Sequence, residues 1–150
     1  MTEQAQLLLE SYEDLTWESY IEICNTITRI DKSQLEDELS RQAQINSYYT
    51  GLLALARRDY EARKLMYEQE RACKGKKIRE DHTLFKKKIT DKALEIQLDC
   101  DENIKELASI EIEAKYKMGL LKALVESMEH KKDMLVQMAA KERQETKLYS

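Results

Sequence analysis

The sequence predicts an all-α fold: a long antiparallel helical hairpin with coiled-coil-like packing, an N-terminal helix before it, a short helical connector between the long helices, and oligomeric assembly. Three observations predict this fold class. The 150 residues include no proline and 3 glycines, so residues that break helices are rare. Glu, Lys, Leu, Ala, Gln and Met dominate, and these side chains lose little freedom in a helix. Apolar residues also recur at heptad spacing over two long stretches.

Charge divides the chain into unlike parts. The formal net charge is −8 over residues 1–40, +7 over residues 41–92 and −3 over residues 93–150. We therefore expect residues 1–32 to form an acidic N-terminal helical segment. The asymmetry indicates two different surfaces, or the acidic head of one protomer meeting the basic middle of another. The alternative is the uneven charge that solvated helix faces commonly carry.

Two helix starts are predicted near the N-terminus. Thr16 can cap a helix that ends near Ile30, because its hydroxyl can accept a hydrogen bond from a free N–H group of the first turn. Ser33 and Glu36 have the spacing of a capping box, in which each side chain bonds the backbone of the other residue. This second start opens the predicted hairpin core, residues 33–150.

The first long helix is predicted to run from Gln34 to about Cys73, with no breaker except glycine inside it. The basic run that follows contains Gly75, which is the natural residue for a left-handed helix cap. The sequence therefore predicts that the long helix ends at this glycine. A short helical connector is predicted over residues 78–98.

The second long helix is predicted to start at Asp99, with Glu102 completing a capping box, and its heptad seam extends to about Ala139. Lys117 and Lys131 occupy seam positions, where lysine lowers stability and can select a partner or a register. A two-helix hairpin leaves part of its apolar surface uncovered, which predicts oligomerisation. The residues predicted for the oligomer interface are Leu107, Ile110, Leu121, Leu124, Met128 and Leu135.

A basic connector at residues 74–92 is expected to carry the function. Residues 74–88 have a net charge of +5, and a hairpin gathers them at one end. Such a patch suits a flexible phosphate backbone, and no duplex-reading motif is present, so single-stranded or sequence-neutral binding is predicted. Tyr67 and Phe85 could stack on bases, although core packing is favoured for both. The alternative is a solvated loop whose lysines maintain solubility. The predicted nucleic-acid-binding residues are Arg57, Arg58, Arg63, Lys64, Arg71, Lys74, Lys76, Lys77, Arg79, Lys86, Lys87 and Lys88.

Catalysis is not predicted, and no cofactor, metal or small-molecule substrate is expected. His82 and His130 are isolated, and neither lies at the spacing of a metal site. The three glycines stand alone, so no phosphate-binding loop of a dinucleotide fold is formed. Three widely spaced cysteines are typical of reduced thiols. Because no apolar run is long enough for a bilayer and the N-terminus lacks signal-peptide features, a cytoplasmic protein without membrane contact is predicted.

Four stretches carry a resemblance to a known family. An amphipathic helix rich in Lys, Glu and Tyr leads to a basic turn at residues 67–75, and a Lys-x-x-Ile-x-Asp-Lys connector follows at residues 86–92. An acidic step occupies residues 98–104, and a long helix contains Leu-Val-Glu-Ser-Met-Glu-His-Lys-Lys-Asp-Met-Leu at residues 124–135. In this order and pattern, residues 35–143 resemble the UvsY-like recombination mediators of tailed phages.

The resemblance implies a small, helical, non-catalytic protein that forms a ring-shaped homo-oligomer in the cytoplasm of an infected host cell. It implies binding to single-stranded DNA, and contacts with a RecA-type recombinase and with single-strand binding protein, so that the recombinase is loaded onto coated strands. Arg63, Lys64, Arg71 and Lys74 match the neighbourhood in which family members contact DNA. The residues leave open an alternative, a non-catalytic helical interaction protein such as a phage inhibitor or scaffold adaptor, with no nucleic-acid role.

Overall fold

The computed structural model describes residues 9–150, so residues 1–8 of the predicted acidic segment lie outside the described residues. Within the described range all regular structure is helical and no strand occurs. The α-helices are α1 (Trp17–Ile27), α2 (Leu35–Leu84), α3 (Asp91–Asp99) and α4 (Glu102–Tyr149). Short 3-10 turns at Tyr12–Asp14 and Lys32–Gln34 precede α1 and α2. The predicted all-α fold is confirmed.

The predicted cap of α1 is confirmed. The Ser19 N–H donates to Thr16 Oγ1 at 3.2 Å, and the Thr16 N–H donates to Ser19 Oγ at 2.8 Å. This reciprocal pair satisfies two N–H groups that a helix start otherwise leaves free. The helix ends at Ile27, with Thr28 as its C-cap, so the predicted end near Ile30 was wrong by about a turn.

The start of α2 differs from the predicted capping box at Ser33. Asp31 Oδ1 accepts from the Ser33 N–H at 2.9 Å and from the Ser33 hydroxyl at 2.6 Å. These hydrogen bonds from Ser33, the side-chain bond first, lower the pKa of Asp31 below its usual value. Because the Ser33 hydroxyl is engaged by Asp31, a 3-10 turn forms at Lys32–Gln34, and α2 begins afterwards at Leu35.

The end of α2 lies well beyond Gly75, which corrects the predicted stop there. Gly75 does not have a positive φ and is a buried interior residue of the helix. A β-carbon added at Gly75 would lie 3.7 Å from Leu98 Cδ1, which is ordinary van der Waals contact. Glycine inside a helix costs about 1 kcal/mol relative to alanine, an amount that tertiary packing can offset. The helix therefore continues to Leu84.

Lysine, not glycine, occupies the left-handed position that ends α2. Lys86 has a φ of 54°, and among the non-glycine residues of the described chain it alone has a positive φ. The Lys86 N–H donates to the Thr83 carbonyl at 3.1 Å, and the Lys87 N–H donates to the His82 carbonyl at 2.9 Å. These two bonds form a Schellman motif, which satisfies the last helical carbonyls.

The junction of α3 and α4 also differs from the prediction. Thr90 caps α3 by accepting from the Ala93 N–H at 3.2 Å, so this helix starts later than the predicted connector. Asp101, not Asp99, caps α4, because Asp101 Oδ1 accepts from the Ile104 N–H at 3.0 Å. Asp99 is the last residue of α3, and its carboxylate pairs with Arg71 of α2.

The described chain divides into two compact units. The first takes in the chain up to Ala56 together with Lys117–Ser150, and the second is Arg57–Tyr116. In the first unit, α2 and α4 run antiparallel, as the predicted hairpin requires. Gln42 Nε2 on α2 donates to the Met128 carbonyl on α4 at 3.3 Å, and both residues are buried. The α1 residues Ile23 and Ile27 complete this core.

The heptad seam forms part of the protein's own core, which corrects the predicted oligomer interface. Leu121, Leu124 and Met128 are buried in the core of the first unit, and Leu135 is also fully buried. Because the folded chain already covers these four side chains, they cannot also provide an exposed apolar contact surface. Leu107 and Ile110 belong to the second unit and are half-buried. Oligomerisation itself stays a prediction.

The second unit has a smaller core. Leu94 and Leu98 of α3 and Ile104 of α4 are its buried members. Tyr67, Ile78 and Ile89 pack against them, so α3 lies on the second half of α2. In the part of the chain that the structure describes, none of the helices is both long enough and apolar enough to cross a membrane.

Candidate nucleic-acid interface

All twelve cations predicted to bind nucleic acid belong to the second unit, on α2 and on the loop that follows it. The structure separates them into two classes. One class forms ion pairs with carboxylates of the same chain, and the other has no carboxylate partner in residues 9–150. Since a cation already paired offers less charge to a phosphate, this division separates the cations that can bind a phosphate directly from those that would first exchange a carboxylate.

Two arginines of α2 are paired with α3. Arg71 Nη1 donates to Asp99 Oδ1 at 2.9 Å, and Arg71 Nη2 pairs with Glu95. Arg79 Nη2 donates to Asp91 Oδ1 at 2.7 Å. The three acids lie four residues apart on α3, which places one carboxylate about every 6 Å along a single face. We call Asp91, Glu95 and Asp99 the acidic stripe.

Lys74 forms an ion pair with the residue that caps α4. Its Nζ lies 2.6 Å from Asp101 Oδ1 and 3.6 Å from Glu70 Oε1. Arg71, Lys74 and Arg79 therefore hold the second unit together in this conformation, and their contact with DNA stays a prediction. Arg71 and Lys74 are two of the four residues in the neighbourhood that the family resemblance implies, and both form these internal pairs.

The pKa shifts follow these contacts. The Asp99 hydrogen bond is the main cause that raises the pKa of Arg71, and Glu95 adds to it. The Asp101 hydrogen bond likewise raises the pKa of Lys74. In return, Lys74 first and the Ile104 N–H second lower the pKa of Asp101. Each shift favours the charged form, as expected when the opposite charge lies within hydrogen-bonding distance.

Two further cations form pairs inside α2. Arg63 Nε lies 3.2 Å from Asp59 Oδ1, and Lys76 Nζ lies 3.9 Å from Glu80 Oε1. Both pairs join residues four apart on a solvated helix surface, where such contacts contribute about 0.3–0.5 kcal/mol. They hold the cations loosely, so these residues stay accessible to an anionic ligand.

The remaining cations have no carboxylate within ion-pair distance among residues 9–150. Lys64 is half-buried and the others are exposed. They are the part of the predicted set that the structure leaves able to bind phosphate groups. These residues are Arg57, Arg58, Lys64, Lys77, Lys86, Lys87 and Lys88.

The loop after α2 joins three such lysines to an exposed aromatic ring. Phe85 is 77% exposed, and the preceding Leu84 is exposed as well. We call residues 85–88 the basic tip. The preference for core packing of Phe85 was wrong, because its side chain is exposed in the loop that follows α2. The same preference for Tyr67 is confirmed, since its ring packs against the core of the second unit.

The acidic stripe is the feature that the sequence analysis missed. Its residues were interpreted only as part of a connector and of a helix start. A signal was present, because acids at positions 91, 95 and 99 repeat every four residues and arginines at 71 and 79 are eight apart. The two spacings are compatible with pairing on antiparallel helices, although they do not by themselves specify which residues meet.

Other kinds of site find little support in the described chain. No group of three or more His, Cys, Asp or Glu side chains within residues 9–150 is placed to hold a metal ion. Cys73 and Cys100 are exposed free thiols, and Cys24 is a half-buried one.

Comparison of the chain with protein-family models, with curated proteins and with solved structures gave no match.

Proposed function

We propose that this protein is a non-catalytic, cytoplasmic recombination mediator that binds single-stranded DNA through the basic tip. In this role it helps to load a RecA-type recombinase onto strands coated by single-strand binding protein. The observation that carries the proposal is the exposed Phe85 ring next to Lys86, Lys87 and Lys88, none of which has a carboxylate partner in the described residues.

This combination matches what sequence-neutral binding of single strands needs. Lysines neutralise phosphates and release counterions, while an exposed ring stacks on unpaired bases without reading their identity. A lysine patch that only maintains solubility does not require an exposed phenylalanine beside it. The homo-oligomeric ring belongs to the proposal too, since several copies would line up their tips along one strand.

A titration with a fluorescent poly-dT oligonucleotide tests the proposal, with anisotropy recorded from about 50 to 300 mM salt. The unmodified protein should bind with an affinity that falls steeply as salt rises. The variant Lys86→Ala/Lys87→Ala/Lys88→Ala should bind more weakly, with a slope of log affinity against log salt reduced by about 2, from three phosphate contacts at about 0.7 each. Light scattering in the same buffers gives the mass of the assembly.

The matched control removes the same charge elsewhere. Lys115, Lys122 and Lys132 are exposed residues of α4, and their joint replacement by alanine should leave the salt slope unchanged. Phe85→Ala should weaken binding by about 1–3 kcal/mol, whereas the neighbouring Leu84→Ala should have little effect. If the tip and control variants weaken oligonucleotide binding equally, net charge alone explains the effect and the proposal is overturned. A loading assay on coated strands then tests the mediator role.

A second candidate is the helical interaction protein without a nucleic-acid role, such as a phage inhibitor or scaffold adaptor. It is favoured by the exposed side chains of Ile112 and Tyr116, which lie one turn apart on α4 in the second unit. Exposed apolar neighbours of this kind suit a protein partner. Absence of oligonucleotide binding at the lowest salt would favour this candidate over the mediator.

A further inference from the structure

We infer that the acidic stripe of α3 occupies the binding positions of Arg71 and Arg79 as a substitute for phosphate, and that a single strand entering from the basic tip displaces it. This inference rests on the proposed function and adds a regulatory contact to the same site. Its basis is the row of ion pairs between α2 and α3, within the second unit.

The row has the chemistry of a phosphate backbone. The stripe presents a regular line of anions, about 6 Å apart, to two arginines. Arginine binds carboxylate and phosphate oxygens with the same forked geometry, so one anion can replace the other without a change in the arginine. Arg71 contacts Asp99 at 2.9 Å and Arg79 contacts Asp91 at 2.7 Å, which are distances of full hydrogen bonds.

The pairs are placed where exchange is easy. The carboxylates of the stripe are largely solvent-exposed, so water screens their attraction for the arginines. A strand that carries several phosphates and releases counterions competes well against such pairs. The displaced arginines then add to the charge that the tip offers.

Helix α3 depends on contacts with the rest of the second unit. It is a 9-residue helix, shorter than the length at which isolated helices are stable, so its structure depends on packing. Leu94 and Leu98 are its buried residues. A loop of residues 85–90 joins it to α2.

The test combines charge-neutral variants of the full chain with the poly-dT titration. Asp91→Asn/Glu95→Gln/Asp99→Asn should bind about tenfold more tightly and with a salt slope steeper by about 1.4, for two added phosphate contacts. The control Glu61→Gln/Glu68→Gln/Glu106→Gln removes the same charge from exposed residues of the second unit. It should give a much smaller gain and no change in slope.

Adding Arg71→Gln and Arg79→Gln to the stripe variant should abolish the gain. Hydrogen exchange supplies an independent readout, because α3 amides of the unmodified protein should exchange faster when the oligonucleotide is saturating. A stripe variant that matches its control, or α3 amides that stay protected, overturns this inference.

The failures can be told apart. If the stripe variant matches its control while the tip variant still binds weakly, the proposed function stands and this inference falls. If neither the unmodified protein nor the stripe variant binds poly-dT, the proposed function itself fails.

Discussion

Lys131 Nζ lies 2.8 Å from Glu38 Oε2, in an ion pair between α4 and α2 whose side chains are 5% and 12% exposed. A lysine at a seam position was expected to select a partner or a register. It does so inside the folded chain, because this pair and the Gln42 hydrogen bond to Met128 align the two antiparallel helices. The second seam lysine, Lys117, donates to the Glu13 carbonyl at 2.6 Å, so it too has a partner within the first unit.

The first prediction concerns this buried ion pair. Glu38→Ala should lower the free energy of unfolding by about 3 kcal/mol, because it leaves the Lys131 ammonium buried without its counterion. The double variant Glu38→Leu/Lys131→Met should recover most of that loss, since apolar groups of similar size need no counterion. Urea unfolding followed by circular dichroism measures both. A double variant that is as unstable as the single one would contradict this account.

The second prediction contrasts two methionines of α4. Met128 is fully buried in the core of the first unit, whereas Met134 is 55% exposed. Met128→Ala should therefore cost about 2–5 kcal/mol of unfolding free energy, while Met134→Ala should stay within about 0.5 kcal/mol. Thermal or urea denaturation at several protein concentrations checks this. If the cost of Met128→Ala disappears when the protein is strongly diluted, the seam is an interface between copies and not part of the protein's own core.

The third prediction concerns the left-handed residue that ends α2. Lys86→Gly should raise the free energy of unfolding by about 0.5–1 kcal/mol, because glycine adopts a φ of 54° without the steric cost that lysine incurs. Lys87→Gly removes the same charge at a residue without a positive φ, so it should give no such gain. Urea unfolding of the two variants side by side decides the matter, and equal stabilities would argue against the strained cap.

The fourth prediction is a pH dependence. Asp101 has a lowered pKa, so its pairing with Lys74 stabilises the protein above the usual aspartate value of about 3.9 and is lost as pH falls through the lowered folded-state value. Lys74 has a raised pKa, so its contribution is complete below about 10.4 and is lost as pH rises through the raised folded-state value.

Asp101→Asn isolates this effect, because asparagine can still cap α4 while the charge is removed. Unfolding midpoints from pH 7 down to about 2 should fall less for this variant than for the unmodified protein, and at the alkaline end above about 10.4 the two should converge. Glu106→Gln, at an exposed residue of α4, is the control and should follow the unmodified protein throughout. If the unfolding midpoints of Asp101→Asn and of the unmodified protein fall equally as the pH is lowered, the pair does not contribute to stability.

Sequence signals predicted a helix cap correctly where the capping side chain had no other hydrogen-bond partner that prevented the cap. Thr16 caps α1 as expected because its hydroxyl accepts from the free Ser19 N–H group of the first turn. Ser33 did not cap α2, because the neighbouring Asp31 takes both its hydroxyl and its N–H. Gly75 did not end α2, because it lies buried against α3 inside a helix that continues to Leu84. In both failures another contact, with Asp31 for Ser33 and with α3 for Gly75, outweighed a preference of about 1 kcal/mol.

The candidate site follows the same division. The sequence by itself determined that the chain is helical, that its long helices form an antiparallel hairpin, and that cations concentrate between residues 57 and 88, since composition and heptad spacing act along the chain. Only the tertiary structure decided that Arg71 and Arg79 are paired with α3 while Phe85 and Lys86 to Lys88 stay free. The reason is that ion pairing and burial depend on which residues of distant segments meet, and a one-dimensional pattern does not specify that meeting.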